Sequence, residues 1–173
     1  MWSEPPSRRR ALAALGALGG LAACGFAPAY GPGGSASVLR NQVLPDKPGD
    51  RFAFLFASRI EDRLGPAGGD AAYSLGYGLP LRTVETAVTG TGSPRRLALE
   101  GVARFSLRRR GGGVVTSGAV SAFTAFSDTG TSVAVRSARA DAERRLAVIL
   151  ADQVVTQLLA RAPSFAGPGA TAP

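Results

Sequence analysis

Leu97-Ala98-Leu99-Glu100-Gly101-Val102-Ala103-Arg104-Phe105-Ser106-Leu107 alternates apolar and polar side chains with period two. Leu97, Leu99, Ala103, Phe105 and Leu107 fall on one side, and Glu100, Arg104, Ser106 and Arg108 on the other. That is the pattern of a strand with one face in a core and one in solvent. Arg108-Arg109-Arg110-Gly111-Gly112-Gly113 follows directly, and then a β-rich run over residues 114–126. Two strands joined by arginines and glycines read as a hairpin with a strongly positive tip.

Upstream, Tyr73, Leu75, Tyr77, Leu79 and Leu81 keep the same period within residues 72–88, although Gly76, Gly78 and Pro80 weaken the centre and suggest a bulge or an edge strand. Residues 89–94 form the loop between the two runs, followed by Arg95 and Arg96. Before them, Phe52, Phe56, Ile60 and Leu64 recur every four residues, giving a helix over residues 50–64 with Asp50 as N-cap and Gly65-Pro66 as its stop. Its aromatic face has two readings: packing on a sheet, or contact with lipid. Residues 36–44, with Val38, Val43 and Leu44, predict a first strand ending at Pro45. Leu146, Ile149, Leu150, Val154 and Leu158 form the stripe of a long helix over residues 137–161, stopped by Pro163.

The order strand, helix, three strands, helix predicts an α+β two-layer sandwich, with a mixed sheet of about four strands and two helices on one face. The other sheet face must then be polar or covered by a partner.

The N-terminus sets the compartment. Arg8-Arg9-Arg10 precedes an apolar run over residues 11–23 that ends in Leu21-Ala22-Ala23-Cys24. That run makes roughly 20 Å of helix, against about 30 Å of hydrocarbon to cross. A basic start, a short apolar run and small residues before a cysteine form a lipobox, the cleavage and lipidation signal of a bacterial lipoprotein. An ordinary signal peptide or a buried N-terminal helix are the alternatives, and Ser7 to Leu12 also loosely fits a twin-arginine export signal. The expected organisation is a removed signal at 1–23, a lipidated Cys24 with a Gly/Pro-rich tether to residue 35, one domain over 36–162, and a small-residue tail over 163–173.

The chain of 173 residues has formal net charge +8, and Lys47 is its only lysine. In a cytosolic protein such charge would suggest nucleic acid, but export makes that partner unexpected. The anions within reach are phospholipid headgroups, lipopolysaccharide phosphates and acidic protein faces, and guanidinium forks suit phosphate. There is no histidine, and the one cysteine serves the anchor. That excludes His-based acid–base catalysis, Ser-His-Asp and Cys-His arrangements, and Cys/His metal sites. A carboxylate-pair hydrolase stays formally open, but Glu61-Asp62 and Asp141-Ala142-Glu143 sit beside arginines on predicted helices, where surface ion pairs explain them. No catalytic residue, metal or cofactor is expected.

Cys24-Gly25-Phe26-Ala27-Pro28-Ala29-Tyr30-Gly31 resembles the C-G-F-x-P-x-Y-G start that follows the lipidated cysteine in the LPS-assembly lipoprotein LptE family. Asp141-Ala142-Glu143-Arg144-Arg145-Leu146-Ala147, with Val154 and Leu158 beyond, is similar to that family's closing helix, and the element order agrees with its small two-layer fold. The resemblance implies an outer-membrane lipoprotein on the periplasmic side that plugs and helps assemble an LptD-like β-barrel and contacts lipopolysaccharide, held to the membrane by its lipid anchor. Charge and loop position nominate Arg108, Arg109 and Arg110, with Arg95 and Arg96 second, for contact with lipopolysaccharide or the barrel lumen. A rival expectation is an accessory lipoprotein of a phospholipid or solute transport system.

Overall fold

The computed structural model describes residues 34–87 and 96–166. The chain runs α1 (Ser35–Leu39), β1 (Val43–Pro45), α2 (Arg51–Leu64), β2 (Tyr73–Gly78), β3 (Leu81–Ala87), β4 (Arg96–Arg109), β5 (Val114–Ser127) and α3 (Ser132–Ala166). It is an α+β fold in which a mixed, open sheet is packed on one face by helices, as the patterns predict.

β4 is the spine of the sheet. β5 pairs antiparallel along its whole length, from Arg96↔Ser127 to Arg108↔Val114. On the other side β2 and β3 lie end to end. β2 pairs from Tyr73↔Arg109 to Gly78↔Arg104, and β3 continues in the same register from Leu81↔Gly101 to Glu85↔Leu97. The Val102 N–H donates to the Pro80 carbonyl at 3.1 Å across the break. The single run expected over 72–88 is therefore one line of pairing interrupted at Pro80, which has no N–H to give the ladder. β1 adds to β2 in parallel, from Val43↔Tyr73 to Pro45↔Leu75, and makes the sheet mixed and five-stranded.

α2 begins where Asp50 Oδ1 accepts from the Ala53 N–H at 2.7 Å, and ends where the Gly65 N–H donates to the Glu61 carbonyl at 2.7 Å. Gly65 has φ +86°, and a Cβ there would lie 1.9 Å from Asn41 Oδ1, so both the backbone and the space require glycine. Phe52, Phe56, Ile60 and Leu64 are buried with Leu75, Leu99, Leu107 and, from the α3 stripe, Leu146, Leu150, Val154 and Leu158 in one core; Ile149, expected in that stripe, is exposed because it falls on the edge of the helix face turned to the sheet. The aromatic face of α2 is thus core, and the lipid-contact reading of it falls away.

Two expectations are corrected. Residues 35–39 are helical where a strand was expected. Ser37 closes the turn on the Gly34 carbonyl through both its N–H, at 3.0 Å, and its Oγ, at 2.6 Å. Leu39 is fully buried, and Asn41 at φ +57° then turns the chain into a strand of only three residues. In so short a segment the burial of one leucine outweighs β propensity. The last helix is also longer at both ends. Thr131 Oγ1 accepts from the Ala134 N–H at 3.3 Å and caps the start, and the end runs through Pro163 to Ala166. Proline removes one bond of the last turn, but buried Phe165 stacks edge-on against Tyr73 at 5.8 Å and holds that turn to the sheet.

α3 is long and apolar enough to cross a membrane by length and composition, yet half of that stretch is buried in the fold. It crosses β4 closely at Gly101, where a Cβ would meet Leu146 and Leu150 at 3.1 Å and Leu81 at 3.0 Å. A side chain there would crowd the methyls of these three leucines.

Candidate functional site on the open sheet face

Alternation along β4 turns Leu99, Ala103, Phe105 and Leu107 into the core and sends Arg96, Glu100, Arg104 and Arg108 to the uncovered face. Beside Glu100, β3 places Arg82, whose Nε donates to Glu100 Oε2 at 2.6 Å. Arg96, Arg104 and Arg108 are exposed and have no acidic partner among the described residues. Small side chains such as Gly76, Ser106, Ser117 and Ser121 keep the surface between them low. Phe123 rises from it with 70% of its surface exposed, and Val84 with 37%. A shallow depression of about 490 Å³ lies here, lined by Pro80, Arg82, Glu100, Arg104, Ser121 and Phe123 among others. Chemically this is a basic plane with one apolar post, suited to an anion that also carries an apolar part.

The predicted basic residues do not form one cluster. Arg96 opens β4 and Arg108 stands twelve residues later, so the two lie about 40 Å apart at opposite ends of the strand. The hairpin tip is pinned rather than free. The Arg109 guanidinium donates from Nη2 to the Phe165 carbonyl at 2.6 Å. The Arg110 N–H donates to the Ala72 carbonyl at 2.8 Å, and its guanidinium donates to the Gly69 carbonyl. Of the three tip arginines, Arg108 alone is exposed with no hydrogen-bond partner among the described residues. Cys24, Arg95 and the loop at 89–94 lie outside the described residues. Arg104 was missed as a site candidate because it looked like the ordinary solvent side of a strand. Its signal was the i, i+4 spacing to Arg108, which places both on one face.

Asp152, Asp141, Glu143 and Glu100 are each engaged in ion pairs with arginines. Asp152 on α3 accepts from Arg59 Nε at 3.0 Å, Arg59 Nη2 at 3.1 Å and Arg63 Nη1 at 2.7 Å, tying α3 to α2. Partial burial pushes the Asp152 carboxyl upward, but the hydrogen bonds and charges of Arg59 and Arg63 outweigh it and hold the group below the usual carboxylate range. The same bond holds the Arg59 guanidinium more firmly protonated. On the expected surface helix, Arg144 pairs with Asp141 at 3.0 Å and Arg139 with Glu143 at 3.1 Å. Near β2, burial and then the charges of Asp46, Asp50 and Glu61 push the Tyr77 hydroxyl upward, so it stays protonated and donates to the Asp46 carbonyl at 2.8 Å. Among the described residues no group of three or more His, Cys, Asp or Glu side chains could hold a metal.

The family described as LptE, Lipopolysaccharide-assembly, matches residues 40–158, the span from the end of α1 to the buried Leu158 of α3. The chain belongs to the LptE family. No curated protein sequence matches it. Among solved structures, a putative lipoprotein from Caulobacter crescentus CB15 is 21% identical with TM-score 0.63, covering 76% of this chain and 98% of its own. The rare lipoprotein B from Shewanella oneidensis is 13% identical with TM-score 0.51, covering 69% and 92%. A minor lipoprotein from Acinetobacter baumannii is 15% identical with TM-score 0.52, covering 69% and 89%. At these identities the likeness is one of fold, and it agrees with LptE membership. Family membership places the chain in lipopolysaccharide assembly.

Proposed function

We propose that this protein is anchored in the outer membrane through acylated Cys24 after loss of residues 1–23. There it sits on the periplasmic side within an LptD-like β-barrel, helps that barrel assemble, and contacts lipopolysaccharide without catalysing a reaction. Family membership supports the pathway. The single observation that carries the lipopolysaccharide contact is the open sheet face, where Arg96, Arg104 and Arg108 stand exposed on one strand with Glu100 already engaged by Arg82. Lipopolysaccharide offers phosphates for the guanidinium forks, and Phe123 supplies an apolar contact beside them. The residues between Cys24 and α1 act as the tether, and two or three acyl chains on Cys24 hold the membrane firmly where one chain would not. Arg95 lies outside the described residues and is proposed as a contact only by its place next to Arg96 in sequence, whereas Arg109 and Arg110 position the hairpin tip. Binding of purified lipopolysaccharide at several salt concentrations tests the reading. Arg96→Ser, Arg104→Ser and Arg108→Ser together should weaken binding and flatten its salt dependence. Unchanged binding and slope would remove the face from the site.

A further inference from the structure

β5 is an edge strand of 14 residues, Val-Val-Thr-Ser-Gly-Ala-Val-Ser-Ala-Phe-Thr-Ala-Phe-Ser, with no charge and no proline. Edges of that kind are normally blunted because their free N–H and C=O groups recruit other strands. Which groups are free follows from the pairing. The Val102 N–H of β4 goes to Pro80, so even-numbered residues of β4 bond toward β2 and β3, and odd-numbered ones toward β5. The partners across are even-numbered residues of β5, such as Val120 opposite Ala103 and Thr124 opposite Leu99. Odd-numbered residues of β5 therefore turn their backbone groups outward.

Two arginines of α3 confirm this and define a window. Arg161 Nη1 donates to the Ser117 carbonyl at 2.6 Å, and Arg145 Nη2 donates to the Ala125 carbonyl at 3.2 Å. Between these clips Ala119, Ser121 and Phe123 are exposed and each presents an outward N–H and C=O. A groove of about 610 Å³ separates β5 from α3 along this stretch, walled by Ala119, Val120, Ile149 and Thr156 and containing Gln157. Gln157 Oε1 is buried there with no hydrogen-bond partner among the described residues.

We propose that the outer edge of β5 from Ala119 to Phe123 is a strand-addition site for an extended segment of another protein that carries acidic residues at its two ends. An extended backbone satisfies alternating outward donors and acceptors, which no side chain or headgroup does in series. The ends are set by charge. Arg161 and Arg145 flank the window about 27 Å apart; Arg161 has no acidic partner among the described residues, Arg145 is shared with Asp141 through Nη1, and carboxylates at that spacing would meet the remaining N–H groups of both guanidinium forks. A second copy of this chain fits worse. Antiparallel pairing about Ser121 would set Arg161 of each copy against Arg145 of the other, with like charges opposed. This surface is the backbone edge of the sheet; it adjoins the basic face proposed for lipopolysaccharide, to which Ser121 and Phe123 turn their side chains.

The test uses the full lipidated chain in detergent and a fluorescent nine-residue peptide, Glu-Thr-Val-Thr-Val-Thr-Val-Thr-Glu, beside a version with lysine at both ends. The glutamate peptide should bind, and the lysine version should bind at least about tenfold more weakly. Ser121→Pro deletes an outward N–H without touching the ladder to β4, and should weaken binding by about tenfold or more at unchanged melting temperature. Should that variant not fold, Arg145→Glu with Arg161→Glu carries the test, by reversing the preference between the two peptides. The proposal is overturned by no binding of either peptide, by equal binding of both, or by binding that neither Ser121→Pro nor the charge reversal changes. It is equally overturned by a dimer in sedimentation that Ser121→Pro dissociates, which would give the edge to a second copy.

Discussion

The Arg109 guanidinium reaches from the tip of the β4–β5 hairpin to the carbonyl of Phe165, 2.6 Å away in the last turn of α3. That turn contains Pro163, and its aromatic side chain lies against Tyr73. The contact joins the two ends of the domain's second half and explains why a helix that proline should stop continues to Ala166.

Arg109→Ala should therefore act on stability. Loss of a charge-assisted hydrogen bond to a carbonyl costs about 1.5–3 kcal/mol, at the lower end here because the site is partly exposed. The variant should melt at lower temperature, with faster amide exchange confined to the last turn of α3 and the hairpin tip. Lipopolysaccharide binding by the folded variant should be unchanged.

Arg104→Ser with Arg108→Ser should give the opposite result, with weaker lipopolysaccharide binding, a shallower salt dependence and an unchanged melting temperature. Both side chains are exposed and make no side-chain hydrogen bond or ion pair among the described residues, and surface substitutions of that kind stay within about 0.5 kcal/mol. Titration beside the Arg109 variant separates the two roles.

The elements with regular periods were legible in the sequence. Alternation from Leu97 to Leu107 gave β4, and the four-residue recurrence from Phe52 to Leu64, with Asp50 and Gly65 as punctuation, gave α2. Even the break at Pro80 was visible as a weakened centre, because a missing N–H is a local property. What was hidden depended on contacts far along the chain. α1 is decided by Leu39 entering the core, and the last turn of α3 by Tyr73 and Arg109. The site was half legible for the same reason. Arg108, Arg109 and Arg110 are neighbours in sequence, yet Arg109 and Arg110 bond to carbonyls at Phe165 and Gly69, which no local pattern announces. Arg96 and Arg108 are nominated as separate candidates, and an extended strand carries them to opposite ends of the sheet.

Asp152→Asn should destabilise the fold at neutral pH by about 1 kcal/mol, since the carboxylate joins Arg59 and Arg63 at a partly exposed site. The sign with pH follows from the direction of the shift. The folded-state pKa lies below the unfolded one, so the stabilisation is fully present above the ordinary carboxylate pKa near 4 and is lost as pH falls through the lower folded value. The gap between wild-type and variant melting temperatures should be constant from pH 6 to 8 and close under strong acid.

Gly101→Val should be among the most damaging single changes in the sheet. Its Cβ alone would lie 3.0 Å from Leu81 and 3.1 Å from Leu146 and Leu150, and the valine methyls would crowd the same space. Overpacking of that kind costs typically 1–3 kcal/mol, and denaturant unfolding should show a lower midpoint with an unchanged slope.

The proposed function makes this LptE-family chain the lipoprotein partner of an outer-membrane barrel. Affinity purification of the full-length lipoprotein from detergent-solubilised outer membranes, with mass identification of what stays bound in stoichiometric amount, tests it most directly. The account predicts one large β-barrel protein recovered together with lipopolysaccharide. Recovery of inner-membrane transporter subunits, or of no stoichiometric partner, would contradict it.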